Sequence, residues 1–214
     1  YLWSKKKIVP FLKVDNGLAE EKNDVQLMKP IPELSARIAA ANKHGVFGTK
    51  MRSVINLANA AGIEELVAQQ FELGKEIIAG GLVPIIEPEI PIDIEHKHHF
   101  EMLLNESIKP YLDSFEKHVN DRFDKTLPQV ILKLTIPDVP NLYHDLSQHK
   151  NVKKLVGLSG GYETSLACKK LSENLDMSAS FSRALSEGLF YQMSDSQFNE
   201  QLSANISEIT KASA

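Results

Sequence analysis

Short apolar segments alternate with longer stretches of helical periodicity along this chain, and several of the apolar segments end in charges two residues apart. The segments cover residues 8–15, 46–54, 83–89, 130–134, 154–159 and 178–182. No hairpin signal joins consecutive segments, so the pattern predicts an α/β fold with a parallel sheet and helices outside it. Lys13 with Asp15, Lys50 with Arg52, and Glu87 with Glu89 are the terminal pairs. A strand repeats every two residues, so both members of a pair share one face. An open, doubly wound sheet would scatter these pairs between unrelated crevices. A closed parallel barrel makes them converge at the C-terminal mouth, where such barrels carry their active sites.

A full (β/α)8 TIM barrel has eight strand–helix units, and the sequence supplies six candidates. The 97–119 stretch is clearly helical, so the 90–128 connection is not expected to hide the other two. The expectation is one barrel domain over residues 1–214 that lacks its first two units, which would precede Tyr1.

The helical stretches carry their own signals. Residues 59–79 place Ile63, Leu66, Val67, Phe71, Ile77 and Ile78 on one stripe. Residues 97–119 do the same with Phe100, Leu103, Leu104, Tyr111, Leu112, Phe115 and Val119, around a Pro110 that should kink the helix. Pro32 and Gly45 bracket a helix near 31–44. Ser194 and Gln197 form a capping box for a last helix reaching about Lys211.

Lys133 is a lone cation in Val130-Ile131-Leu132-Lys133-Leu134. An edge-strand lysine reaching water explains such a residue, but its neighbours support another reading. An ammonium in apolar surroundings loses hydration, which favours the neutral amine, and a neighbouring cation such as Lys50 acts in the same direction. A neutral amine attacks a carbonyl to give a Schiff base. Glu87 and Glu89 supply carboxyl groups that can move protons during the loss of water.

The chain has a net charge of −4, so no overall basic field points to nucleic acid or an anionic membrane, and any anion site must be local. Ser159-Gly160-Gly161 lies between a strand and a helix, where backbone N–H groups can cradle a phosphate. With Arg183 it follows the last two strands, where barrels commonly build a phosphate site. The single cysteine, Cys168, excludes an internal disulfide and fits a reducing, cytoplasmic setting. It reads as a structural thiol. His96, Lys97, His98 and His99 read as a solvated loop or helix start rather than a metal site. Trp3 and Lys5 to Lys7 read as a surface approach to the first strand. No apolar run reaches the length of a membrane span.

Six motifs, in order, resemble the class I fructose-bisphosphate aldolases of the bacterial type. They are Phe11-Leu12-Lys13-Val14-Asp15-Asn16-Gly17, Gly48-Thr49-Lys50-Met51-Arg52 and Pro84-Ile85-Ile86-Glu87-Pro88-Glu89, then Ile131-Leu132-Lys133-Leu134, Leu158-Ser159-Gly160-Gly161 and Ala179-Ser180-Phe181-Ser182-Arg183-Ala184-Leu185. The resemblance implies a lyase of glycolysis that cleaves fructose 1,6-bisphosphate reversibly to dihydroxyacetone phosphate and glyceraldehyde 3-phosphate. Lys133 would be the Schiff-base lysine, Glu87 the acid/base with Glu89 in the same proton network, and Lys50 a contact to the hydroxyls near the scissile bond. Arg52 would line the pocket, and Lys13 with Asp15 would lie toward the distal phosphate. Ser159, Gly160, Gly161 and Arg183 would hold the carbon-1 phosphate. It implies no metal and no cofactor. The family's first strand carries an aspartate of the proton network in a portion ahead of Tyr1. The expected partner is a phosphorylated sugar, without nucleic acid or membrane; a homo-oligomer is compatible. A Schiff-base aldolase for another phosphorylated sugar, a phosphate-binding barrel without turnover and an interaction protein are the alternative readings.

Overall fold

The computed structural model describes residues 1–119 and 129–213, with backbone alone for 116–119. Its strands are β1 (Phe11–Lys13), β2 (Val25–Gln26), β3 (Gly48–Ile55), β4 (Val83–Glu89), β5 (Val130–Thr135), β6 (Val152–Leu158) and β7 (Met177–Ala179). Its α-helices are α1 (Leu34–Lys43), α2 (Ala60–Ala79), α3 (Lys97–Val119), α4 (His144–Ser147), α5 (Thr164–Ser172) and α6 (Asp195–Ala212). The sheet runs β1-β3-β4-β5-β6-β7, and each neighbouring pair in that path is parallel. This is the TIM-barrel type of α/β arrangement. Among the described residues β1 and β7 end the path and are not paired with each other.

Each of the six expected strands is present; 83–89 has the expected ends, and the others have shifted ones. The first is shorter than residues 8–15, because Pro10 has no N–H to give to a ladder. Ile8 and Val9 are exposed, while Pro10 O still accepts from Phe47 N at 3.0 Å. The last expected strand, 178–182, ends at Ala179. The expectation of a sheet without antiparallel pairing is corrected by β2, which pairs antiparallel with the end of β3 at Val25↔Ile55 and Gln26↔Val54. Two residues are too few to show a period.

Helix ends follow the side chains that satisfy their free N–H groups. Asn59 caps α2 by accepting from Ala61 N at 3.1 Å and Gly62 N at 3.2 Å. The Ser194–Gln197 capping box is formed at the start of α6. Helix α3 continues through Pro110. The α2 stripe is buried at Ile63, Leu66, Val67, Phe71 and Ile77, and the α3 stripe at Phe100, Leu104, Leu112 and Phe115. The Val119 side chain lies outside the described residues.

Lys97 differs from the solvated residue expected of its neighbourhood. It opens α3, yet it is only 3% exposed. Its ammonium pairs with Glu101 and with Asp138 at 3.2 Å, and donates to Ile136 O at 2.9 Å, which pins the chain just past β5. Burial pushes the Glu101 carboxyl up, against the opposing effect of Lys97. His96 and His99 are exposed as expected.

Helices α2 and α3 meet through Phe71, whose ring lies 5.5 Å from that of Phe115 and 5.3 Å from that of Tyr111. Phe71→Ala would leave a cavity behind the strands that carry the site. It should lower stability by about 3–5 kcal/mol, measured as a reduced urea midpoint with an unchanged slope.

Candidate active site

The parallel register turns the charged pairs of adjacent strands into diagonal contacts. Arg52 of β3 lies opposite Glu87 of β4, so Lys50 is two residues before that point and Glu89 two residues after it. Long side chains reach across such diagonals. Lys50 Nζ lies 2.9 Å from Glu87 Oε2, and Arg52 Nε lies 2.6 Å from Glu89 Oε2. On the other side of β4, Lys133 Nζ of β5 lies 3.0 Å from Glu87 Oε1. Each oxygen of one buried carboxylate thus has its own ammonium. Glu87 is 4% exposed, and the Lys133 side chain is 15% exposed.

These residues open onto a cleft of about 290 Å3. Its strand side is Lys50, Arg52, Glu87, Glu89 and Lys133, and its loop side includes Ser159, Gly160 and Arg183. Four basic and two acidic side chains line it, in a chain whose net charge is −4. The surplus of positive charge is local, as an anion site in an acidic protein requires.

The loop after β6 is shaped by its glycines. Gly160 and Gly161 have φ of +62° and +116°, which L side chains rarely adopt. A Cβ on Gly161 would stand 3.4 Å from an Arg183 guanidinium nitrogen. The guanidinium therefore lies against the bare backbone of Gly161.

The structure does not bring every expected residue together. Lys13 and Asp15 are outside the cleft lining. They pair with each other, and Asp15 Oδ1 also accepts from Gly17 N at 3.1 Å. Lys13 stands beside Lys50 in the β1–β3 register, with its side chain 59% exposed. Gly161 adjoins the cleft through Arg183 rather than lining it. Leu158, Ser180 and Ser182 line the cleft without having been singled out. The two serines repeat the two-residue spacing of the charged pairs, which is the signal that marks them.

Cys168 is buried on α5 and outside the cleft, and burial pushes its thiol up, so it behaves as a core side chain. Among the described residues no group of three or more His, Cys, Asp or Glu side chains is arranged to hold a metal ion. No helix among them is long and apolar enough to cross a membrane.

Comparison with known proteins follows the same lines. No family model matches the chain. Among curated proteins, the class 1 fructose-bisphosphate aldolase of a Synechocystis species is 50% identical over 213 residues, covering 100% of this chain and 68% of that protein. The enzymes of the same name from Clostridium acetobutylicum and Porphyromonas gingivalis are 49% and 47% identical, each over 100% of this chain and 69% of their own length. Among solved structures, the fructose-bisphosphate aldolase of Plasmodium falciparum, in complex with TRAP and a small-molecule inhibitor, aligns with a TM-score of 0.71. That alignment covers 99% of this chain and 70% of the other at 18% identity, a likeness of fold.

The positive φ of Gly161 gives a test of the loop. Gly161→Ala should cost about 1–3 kcal/mol of stability, because the added Cβ would require a strained backbone. A urea titration measures it.

Proposed function

The chain belongs to the class 1 fructose-bisphosphate aldolases, and from that premise we propose that it is a Schiff-base lyase cleaving fructose 1,6-bisphosphate. The observation that carries this reading is the contact between Lys133 Nζ and Glu87 Oε1 at 3.0 Å in a cleft with surplus positive charge. A nucleophilic amine and a carboxyl group within hydrogen-bond reach are what imine formation needs.

The chemistry proceeds from those two groups. Lys133 passes a proton to Glu87 across their 3.0 Å contact; the resulting neutral amine attacks the carbon-2 carbonyl, and a proton moves from the nitrogen to the oxygen to give a carbinolamine. Glu87, as a carboxylic acid, protonates the departing hydroxyl, and water leaves. The product is a protonated imine, which draws electrons from the carbon 3–carbon 4 bond. A carboxylate, Glu87 or Glu89, takes the proton of the carbon-4 hydroxyl. Glyceraldehyde 3-phosphate departs, and the bonding pair remains as an enamine. Protonation at carbon 3 and hydrolysis release dihydroxyacetone phosphate and regenerate the amine. The imine is the electron sink, and no step is routed through a metal.

Charge distribution supports the remaining roles. Lys50, paired with the second oxygen of Glu87, orients that carboxylate and meets the substrate hydroxyls near the scissile bond. Arg52 holds Glu89. Ser159, the Gly160-Gly161 turn and Arg183 take the carbon-1 phosphate, with Ser180 and Ser182 beside them. Lys13, exposed at the next strand, is the candidate for the distal phosphate and Asp15 its positioning partner. On this reading residues 1–214 belong to one (β/α) barrel domain, the substrate is a phosphorylated sugar, and the reaction takes place in the cytoplasm.

Two substitutions test these assignments in the full-length protein. Lys133→Met should reduce fructose 1,6-bisphosphate cleavage by more than about 1,000-fold, while wild-type activity persists in EDTA; normal activity in the variant would defeat the reading. Arg183→Ala should raise KM by about 10- to 100-fold, the loss of a charge-assisted contact of about 1.5–3 kcal/mol. An unchanged KM would remove Arg183 from the phosphate site.

A further inference from the structure

The ladder between β4 and β5 ends one residue short of the chemistry. These strands pair at Ile85↔Ile131 and Ile86↔Leu132, and their register goes no further. On either side the sheet continues, β3–β4 to Val54↔Glu89 and β5–β6 to Thr135↔Leu158. The regular pairing therefore stops just before Glu87 and Lys133, the two residues whose separation matters most. Backbone groups where pairing stops need other partners, because a buried N–H without one is costly.

Side chains take over there. Gln70 of α2, fully buried, accepts from Glu87 N at 2.8 Å through Oε1. Thr135, at the end of β5 and 1% exposed, accepts from Ile90 N at 3.0 Å and donates to Ile90 O at 2.7 Å. One clasp fixes the backbone of Glu87 itself. The other ties the residue just past Glu89 to the strand that carries Lys133. Gln70 Nε2 is buried and has no hydrogen-bond partner among the described residues. An apolar side chain would fill the same space without that cost, so the oxygen is the useful part of Gln70.

We propose that Gln70 and Thr135 are positioning residues: Gln70 fixes the Glu87 backbone from α2, Thr135 ties the end of β4 to β5, and together they keep the Glu87 carboxylate in reach of the Lys133 amine. This inference rests on the Schiff-base reading above. Proton transfer needs heavy atoms about 2.6–3.2 Å apart, and the observed 3.0 Å leaves little room for drift. Neither residue lines the cleft. Loosening the clasps should therefore slow chemistry while leaving substrate binding intact.

The test compares Thr135→Val, which removes both hydrogen bonds at nearly constant volume, with Thr135→Ser, which keeps them. In the full-length protein Thr135→Val should lower kcat by about 10- to 100-fold with KM changed by less than about twofold. Thr135→Ser should restore most of the rate. Gln70→Met should show the same loss in kcat, and it carries the test if Thr135→Val does not fold. Equal kcat in the Val and Ser variants, or a defect confined to KM, overturns the proposal. A wild-type protein that does not cleave fructose 1,6-bisphosphate overturns the function itself, so the two failures are distinguishable.

Discussion

A carboxylate withdrawn from water keeps its charge only when cations replace the hydration it has lost, and Glu87 has one for each oxygen. Lys50 approaches from β3 and Lys133 from β5, so the same carboxylate joins three consecutive strands of the sheet. Removing Glu87 would leave two ammoniums facing each other; removing either lysine would leave an oxygen of the carboxylate without its cation. On the proposed reading, substrate that takes the Lys133 amine into a covalent bond leaves a carboxyl group within hydrogen-bond reach to handle the protons.

The fold prepares this set by geometry. Parallel strands present their C-terminal ends at one mouth, and a two-residue period lines up successive side chains on one face. Parallel pairing alone would space the strands evenly. The β4–β5 pairing stops short of Glu87 and Lys133; a threonine of β5 bonds across to Ile90, and a glutamine of α2 takes up the Glu87 N–H. Beyond it, the buried Lys97 ammonium holds the chain after β5 through Ile136 O. The turn containing Gly160 and Gly161 then faces Arg183 from the segment after β7, and the cleft lies between these loops and the charged strand ends.

Much of this was legible in the sequence because charges at the end of an apolar strand are costly unless they are used. The spacing of Lys50 with Arg52 and of Glu87 with Glu89 was enough to put them on one face, and the cleft contains all of them. The lone Lys133 was visible for the same reason. Other features left no periodic trace. The two residues of β2 are too short a run, and Lys97 looked solvated among histidines because its partners Glu101 and Asp138 are close only in the fold. Gln70 is a polar residue within its helix, so the apolar period does not mark it, although it is buried and accepts from Glu87 N. Lys13 and Asp15 share the spacing of the other pairs, yet they turn to each other outside the cleft lining, because β1 has β3 on one side and no paired strand on the other among the described residues.

The central claim is that the Lys133 amine, and no other, bonds covalently to the ketone. Dihydroxyacetone phosphate and sodium borohydride added to the full-length protein, followed by peptide mass mapping, test it most directly. The account predicts a reduced secondary-amine adduct on Lys133, absent when borohydride is added without the ketone. No adduct, or an adduct carried by Lys50 instead, would contradict it.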